Sequence, residues 1–281
     1  MAFIKNFFVF FLLALFGLCS CRSPEPKEKT VLVSLPPYRY FVERIAQGSV
    51  QVETLVPQGV NPHHYEPPPR QIASLDSAVI WFRIEEPFEE KLLEVFEGQN
   101  KKIAIIDLLN GLPLMGSGEE KYCRDRHVWL SPKLAIEQAK KIALCLKKIF
   151  PEKSSLFDEG LKAFLDDLTA ADLAIHQLLS SMKESVVLIS HPALGYFCKE
   201  YSLKQISIEF EGKDPLPQQI TAILQNVERE KIQAILTEPQ HNNKGVELIA
   251  ERLQLATHAI DPYSSNYLDN LMDIAQTIAH D

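Results

Sequence analysis

The sequence predicts an α/β protein with two lobes, each a parallel-sheet αβ sandwich, joined by one long rigid helix. Three observations in the 281 residues predict this architecture. Short apolar runs typical of strands alternate with helical runs, which favours parallel sheets covered by helices. This alternation occurs twice, before residue 150 and again after residue 184. The most regular helical pattern of the chain lies between the two sets.

The two sets of elements define an N-terminal lobe over residues 31–150 and a C-terminal lobe over residues 184–281. In the first lobe we expect strands at Thr30–Leu35, Val50–Val56, Ser77–Phe82 and Lys102–Asp107, and helices at Tyr38–Gln47 and Pro132–Ile149. In the second lobe we expect strands at Ser185–Ser190, Lys204–Ile208, Ile232–Thr237 and Thr257–Asp261, and helices at Pro217–Glu230, Lys244–Leu253 and Tyr267–Ala279.

A linking helix is expected over residues 151–183. Its apolar residues recur in alternating steps of four and three from Phe157 to Met182, which places them on one continuous face. Ser155 and Asp158 have the spacing of a capping box at its start. A helix of this length spans roughly 40 Å, more than one lobe, and so predicts a stiff connection. A helical hairpin broken near Thr169 is the alternative.

The first twenty residues have the pattern of a secretion signal. Their apolar run, Phe7–Leu18, is too short to cross a bilayer and has the length of a signal-peptide core. The Leu-Cys-Ser-Cys sequence that ends this segment resembles a bacterial lipoprotein cleavage site. Cys21 would then carry lipid, and residues 21–30 would form a tether. Cys19 is a weaker lipidation site, and a plain cleaved signal is the alternative.

The overall composition excludes several classes of protein. With 29 basic and 37 acidic residues the net charge is −8, which gives no electrostatic reason to expect a partner that is a nucleic acid. No segment after residue 20 has the uncharged apolar length of a membrane span. The remaining cysteines, Cys123, Cys145 and Cys198, form no CxxC pair, which excludes a thiolate zinc ribbon, and they allow at most one disulfide.

Three histidines and an aspartate stand at positions where α/β proteins bind ligands. His191 directly follows an apolar strand, and Asp261 closes another, so both lie at strand ends facing the ligand-binding crevice of an open sheet. His63 follows an expected strand through a turn-rich connection, and His127 immediately precedes an expected helix. Imidazoles and a carboxylate are suitable zinc ligands.

Four protein ligands would leave no open position for an activated water, so this set favours holding an ion over using one in catalysis. The acidic Glu66 and Glu238 could offset the remaining positive charge. His64 is the main competitor of His63 as a ligand, and His241 is a weaker one. From the residues alone, a metal site remains one interpretation beside structural roles for these histidines.

Five motifs in order along the chain resemble those of the zinc- and manganese-binding lipoproteins that feed bacterial ABC importers. They are NPHHYEPPP from Asn61, RHVWLSP from Arg126, SHPALGYF from Ser190, TEPQ from Thr237 and IDPY from Ile260. The resemblance covers essentially the whole chain and implies that His63, His127, His191 and Asp261 are the metal ligands. It further implies an ABC permease and its ATPase as partners, a lipid anchor in the membrane, and a location in the periplasm or at the cell surface. We expect a monomer.

The resemblance also bears on which ion is carried. Manganese-selective members of this family tend to have Glu where this sequence has His191, so a third imidazole favours Zn²⁺, with Mn²⁺ or Fe²⁺ as alternatives. The His-rich loop of many zinc-uptake members is absent, because no His lies between His64 and His127. Two other functions stay open. One is a surface adhesin with a structural metal; the other is a metallohydrolase with Asp261 or Glu238 as its base, for which no HExxH motif is present.

Overall fold

The computed structural model describes residues 29–98, 102–116, 124–209, 215–227 and 230–280. The expected signal peptide, the lipidated Cys21, nearly all of the tether and Cys123 lie outside the described residues. Within the described part of the chain, every helix falls short of the combined length and hydropathy that a bilayer crossing demands.

The N-terminal lobe is built on a parallel sheet of four strands in the order β2-β1-β3-β4. These strands are β1 (Thr30–Val33), β2 (Gln51–Thr54), β3 (Ala78–Arg83) and β4 (Ala104–Asp107). The central strand β1 is buried along its whole length. Burial on both faces explains why it reads as an unbroken apolar run rather than as alternating residues.

The C-terminal lobe repeats this arrangement with the order β6-β5-β7-β8, again all parallel. Its strands are β5 (Val186–Ile189), β6 (Lys204–Ser207), β7 (Ile232–Thr237) and β8 (His258–Ala259). Because all strands of a parallel sheet end at the same edge, the segments after β5, β6, β7 and β8 meet there. The fold class predicted from the sequence is confirmed.

Nine helices cover or connect the sheets of the described residues. They are α1 (Pro36–Ala46), α2 (Pro69–Ser74), α3 (Pro87–Gly98), α4 (Pro132–Ile149), α5 (Ser154–Leu178), α6 (Gly195–Glu200), α7 (Pro217–Val227), α8 (Lys244–Leu253) and α9 (Tyr267–His280). Several begin with proline, whose fixed φ suits the first helical position and whose missing N–H costs nothing there.

The long helix α5 runs between the lobes. Its 25 residues correspond to roughly 37 Å, and it packs on α1 and α4 of the first lobe and on α9 of the second. Gly160 permits the close approach to α1, because a Cβ there would lie 2.8 Å from the carbonyl oxygen of Arg44 and closer still to that of Ile45. An ion pair between Arg44 and Asp167 fastens the same two helices. The lobes are therefore joined by a stiff, packed element.

One large apolar core extends through both lobes. In β5, Val187 and Ile189 face this common core, while Val186 and Leu188 face a smaller core beneath α7 and α8. This alternation is the period-two pattern of a strand with both faces covered. The two sheets face each other at one edge, and packing in the common core fixes the position of that edge.

Two local predictions from the sequence are wrong, and one alternative is excluded. Helix α5 begins at Ser154 after a short 3₁₀ turn, so Ser155 is already helical and forms no capping box with Asp158, which pairs with Lys147 instead. The helix is continuous through Thr169, which excludes the hairpin. The strand expected at Thr257–Asp261 is only two residues long, because β8 is an edge strand that pairs with β7 at two positions.

Candidate metal centre

His63 comes from a 3₁₀ turn, Pro62–His64, that follows β2 in the N-terminal lobe. The side chain of Asn61 accepts a 2.9 Å hydrogen bond from the backbone N–H of His63, and Pro62 supplies the first position of the turn. The ring Nδ1 of His63 lies 2.9 Å from Glu86 Oε2. Glu86 is fully buried where the chain leaves β3 for α3. His64, the competing candidate, is exposed on the same turn.

His127 is fixed by a carboxylate two residues before it. Asp125 Oδ1 accepts hydrogen bonds from the backbone N–H of His127, at 2.9 Å, and from its ring Nδ1, at 2.8 Å. The chain then forms a buried 3₁₀ turn, and Ser131 caps α4 by accepting a hydrogen bond from the N–H of Leu134. His127 is therefore a rigid feature of the N-terminal lobe.

His191 lies at the end of β5 in the C-terminal lobe, as expected from the sequence. Its backbone N–H donates to Glu238 Oε1 at 3.2 Å, and its ring Nδ1 lies 3.0 Å from Glu209 Oε2. Glu238 follows β7 and is fully buried, while Glu209 follows β6. Two neighbouring strand ends thus position His191 through one backbone and one ring contact.

The structure brings these three histidines together across the cleft between the lobes. One nitrogen from each ring falls within a group in which every pair is closer than 4.8 Å. The Nε2 atoms of His63 and His191 are 3.1 Å apart, near the separation of about 3.3 Å expected for two nitrogens on one tetrahedral zinc. The hydroxyl of Tyr263 adjoins the group, 2.9 Å from His127 Nε2 and 3.3 Å from His63 Nε2.

Each of the three imidazoles has a carboxylate on Nδ1: Glu86 for His63, Asp125 for His127 and Glu209 for His191. A carboxylate that accepts the Nδ1 proton fixes the tautomer and leaves the Nε2 lone pair free. The Tyr263 hydroxyl can donate to one of these lone pairs, whereas the Nε2 atoms of His63 and His191, 3.1 Å apart, need a shared proton or a cation between them.

The surroundings of His63 and His191 shift the pKa values of these two imidazoles in opposite directions. Burial is the largest cause that lowers the pKa of His191. Together with the neighbouring imidazoles it outweighs the hydrogen bond to Glu209 and brings this pKa to about 3. Burial also acts to lower the pKa of His63, but the carboxylate of Glu86 outweighs it and raises that pKa above its usual value. These opposite shifts favour a proton on His63 over one on His191.

Asp261, the fourth ligand that the resemblance implies, makes hydrogen bonds with neighbouring amides. Its carboxylate lies outside the three-histidine group and accepts hydrogen bonds from Gln240 Nε2 at 2.7 Å, Gln58 Nε2 at 2.6 Å and the backbone N–H of Tyr263 at 3.0 Å. Gln58 belongs to the loop after β2, so this cluster also spans the cleft. Asp261 is thus near the strand end expected for a fourth ligand, but its oxygens are engaged by amides.

The secondary candidates have distinct surroundings. Glu66 is exposed and pairs with Lys91 at 2.6 Å, which makes it a surface ion pair. Glu238 supports the backbone of His191. Glu86, Asp125, Glu209 and Tyr263 were not among the candidates identified from the sequence. Acidic residues directly after β3 and β6, and one two residues before a histidine, are the signals that could have revealed the three carboxylates.

Known proteins are similar to this chain over most of its length. Residues 31–280 match the family model described as zinc-uptake complex component A, periplasmic. A protein of Chlamydia muridarum named as metal-binding is 30% identical over 272 residues, covering 95% of this chain and 97% of its own length. The zinc-binding lipoprotein AdcA of Streptococcus pneumoniae is 26% identical over 264 residues, covering 88% of this chain and 52% of AdcA.

A solved crystal structure of ZnuA superposes with a TM-score of 0.84 at 32% identity, covering 90% of this chain and 98% of that one. The likeness extends over both lobes and the helix between them. The chain therefore belongs to the family of the periplasmic component A of zinc-uptake complexes, the metal-binding solute-binding proteins of ABC importers.

Proposed function

We propose that this protein captures one Zn²⁺ ion in the cleft between its lobes, with His63, His127 and His191 as ligands, and delivers it to the permease of an ABC importer. The single observation that carries the proposal is the convergence of three Nε2 atoms, each on a ring whose Nδ1 faces a carboxylate. Such carboxylate–histidine pairs orient and strengthen imidazole ligands in metal sites.

Asp261 is proposed as the fourth ligand, reached by a turn of its side chain away from Gln58. It lies beside Tyr263, whose hydroxyl already contacts His63 and His127. A carboxylate at the fourth vertex would complete a tetrahedron and reduce the charge of the buried ion from +2 to +1. The surrounding carboxylates, Glu86 and Glu209 among them, would offset the rest.

The donor set favours zinc. Three imidazoles and one carboxylate suit a borderline-soft ion, and Zn²⁺ stands above Mn²⁺ and Fe²⁺ in the Irving–Williams order. Mn²⁺ and Fe²⁺ remain the alternative cargoes, because these ions accept the same ligands. A closed set of four protein ligands also argues for transport rather than catalysis, since a hydrolytic metal needs an open position for water.

The importer role implies a location outside the cytoplasm, which the family description supports. We propose that lipidation of Cys21 anchors the protein to the membrane, with residues 21–30 as a tether and the folded body acting as a monomer beside the permease and its ATPase. Two acyl chains or more would hold the protein far more firmly than a single one.

Substitution of one central ligand tests the proposal. His63→Ala should weaken zinc binding by a factor of at least about 100, because it removes one of four bonds and leaves Glu86 without its partner. The matched control is His64→Ala, which removes the exposed neighbouring imidazole on the same turn and should leave affinity unchanged. Zinc affinity is measured by competition against a chromogenic chelator, with Mn²⁺ and Fe²⁺ titrated in parallel. Equal affinities for the two variants would refute the assignment of His63.

A further inference from the structure

Four buried polar atoms at the edge of the C-terminal sheet have no hydrogen-bond partner among the described residues. They are Ser190 Oγ, Glu238 Oε2, Gln240 Oε1 and His241 Nε2, and they come from the two segments that follow β5 and β7. Buried polar atoms nearly always have partners, so exceptions on two neighbouring segments mark a place where a polar ligand can bind. None of the four belongs to the three-histidine group.

Two of these atoms face each other. His241 Nε2 and Glu238 Oε2 are 3.9 Å apart, and the side chains of His241 and Glu238 are 6% and 0% exposed. This separation is too long for a hydrogen bond. It is within the distance of about 4.2 Å that a single metal ion can bridge with bonds of 2.0–2.2 Å to nitrogen and oxygen.

The tautomer of His241 is fixed in the way that metal binding requires. Its ring stacks on His191 with centroids 4.0 Å apart, and its Nδ1 lies 3.3 Å from Glu209 Oε2, the same oxygen that contacts His191 Nδ1. A proton on Nδ1 of His241 leaves the Nε2 lone pair directed toward Glu238.

A cavity adjoins His241. Ser190, Gln240 and His241 line a cavity of about 230 Å³ together with Glu209 and the exposed His64. His241 and Glu209 also line the larger cavity, of about 490 Å³, that contains His63, His127 and His191. The two residues therefore stand between an outer cavity and the central cleft.

We propose that the C-terminal lobe has a second position for a divalent transition-metal ion, bound by His241 Nε2 and Glu238 Oε2, with Ser190 Oγ and Gln240 Oε1 as further oxygen donors. One nitrogen with oxygens is a weaker donor set than three imidazoles. This outer position fills after the central one at equilibrium. Its ligands are separate from those of the proposed zinc site.

The experiment counts and locates zinc ions in the purified protein at excess zinc, by native mass spectrometry and by anomalous scattering from zinc-soaked crystals. The wild-type protein should bind two ions, with the second anomalous peak between His241 and Glu238. His241→Phe preserves a stacking ring but removes both nitrogens, so it should bind one ion and retain the central peak. Glu238→Gln provides a second variant, expected to lose the outer peak, and thermal melting verifies that each variant is folded.

Two controls separate this proposal from other possibilities. His176→Ala disrupts a third group, Asp172, His176 and Glu200, whose ligand atoms also lie close together; it should leave both ions in place. His63→Ala should lose the central ion and keep the outer one, so failure of the central site would be recognised independently. A single ion in the wild-type protein, or an outer peak that persists in His241→Phe, would overturn the proposal.

Discussion

Gln58 donates a 2.6 Å hydrogen bond to the carboxylate of Asp261 and thereby joins a loop of the N-terminal lobe to a strand end of the C-terminal lobe. The amide oxygen of Gln58 accepts a second hydrogen bond from the backbone N–H of Ser265, at 3.2 Å. These two hydrogen bonds connect the lobes across the cleft, and we call them the latch. In the metal-free protein this latch holds one oxygen of the carboxylate that we propose as the fourth ligand.

The latch predicts that Gln58→Ala strengthens zinc binding. Without the competing amide, Asp261 turns toward the three histidines at lower cost, and one hydrogen bond corresponds to about threefold to tenfold in affinity. Chelator competition measures the change. Ser265→Ala is the control, since only the backbone of Ser265 contacts Gln58. Weaker zinc binding by Gln58→Ala would mean instead that Gln58 holds Asp261 in its ligating position.

The contact between the Glu209 carboxylate and His191 predicts a second effect on zinc affinity. Glu209→Gln removes the negative charge that faces His191 Nδ1, so the ring becomes a poorer and less well oriented donor, and zinc affinity should fall about 10-fold to 100-fold. Glu184→Gln changes an exposed glutamate of the same lobe that pairs with Lys204, and it should have no effect. Calorimetry distinguishes the two variants, and a similar affinity for both would contradict a supporting role of Glu209.

The unequal pKa values of the histidines predict how zinc affinity depends on pH. A proton competes with zinc for a ring nitrogen, so affinity is highest above the raised pKa of His63 and falls as the pH drops through it. Zinc affinity should fall by about tenfold for each pH unit below that pKa. His191, with a pKa of about 3, adds no competition near neutral pH. Titrations at pH 8, 7 and 6 test this, and an affinity that stays constant over the range would contradict it.

The contact between α5 and α1 predicts a stability effect unrelated to metal. Gly160→Ala places a Cβ against the carbonyl oxygens of Arg44 and Ile45, and because both are backbone atoms the helices must separate. We expect a loss of about 1–3 kcal/mol in the free energy of unfolding. Gly98→Ala is the matched control, since a Cβ there meets nothing within 4 Å. Urea unfolding compares the two, and equal stabilities would show that α5 is loosely packed.

The elements with strong periodicity were predictable from the sequence, and the weaker ones were not. Pro132–Ile149, Ile232–Thr237 and Lys244–Leu253 have the bounds expected from their patterns. Helix α3 was missed, although Pro87 at its first position and acidic residues in its first turn were visible signals. Edge strand β8 is short because only two of its residues pair with β7. The length of such a pairing depends on both strands and cannot be predicted from the sequence of one.

The residues of the candidate site also fall into those that were predictable from the sequence and those that were not. Positions beside expected strands and helices identified His63, His127 and His191 as candidates. The resemblance implied that they are ligands, and the fold brings them together. The carboxylates behind the rings were not identified, because Glu86 and Glu209 are 23 and 18 residues from their histidines and meet them only through the sheet topology. Spacing along the chain also does not determine the orientation of a side chain, which is why the amides that hold Asp261 were not foreseen.

The most direct test is X-ray absorption spectroscopy at the zinc edge, on protein loaded with one equivalent of zinc. A crystal structure of the same zinc-loaded protein identifies the residues that supply the ligands. Our account predicts three imidazole nitrogens and one carboxylate oxygen at about 2.0–2.1 Å, from His63, His127, His191 and Asp261. A zinc ion held by fewer than two of these histidines, or coordinated mainly by water, would contradict it.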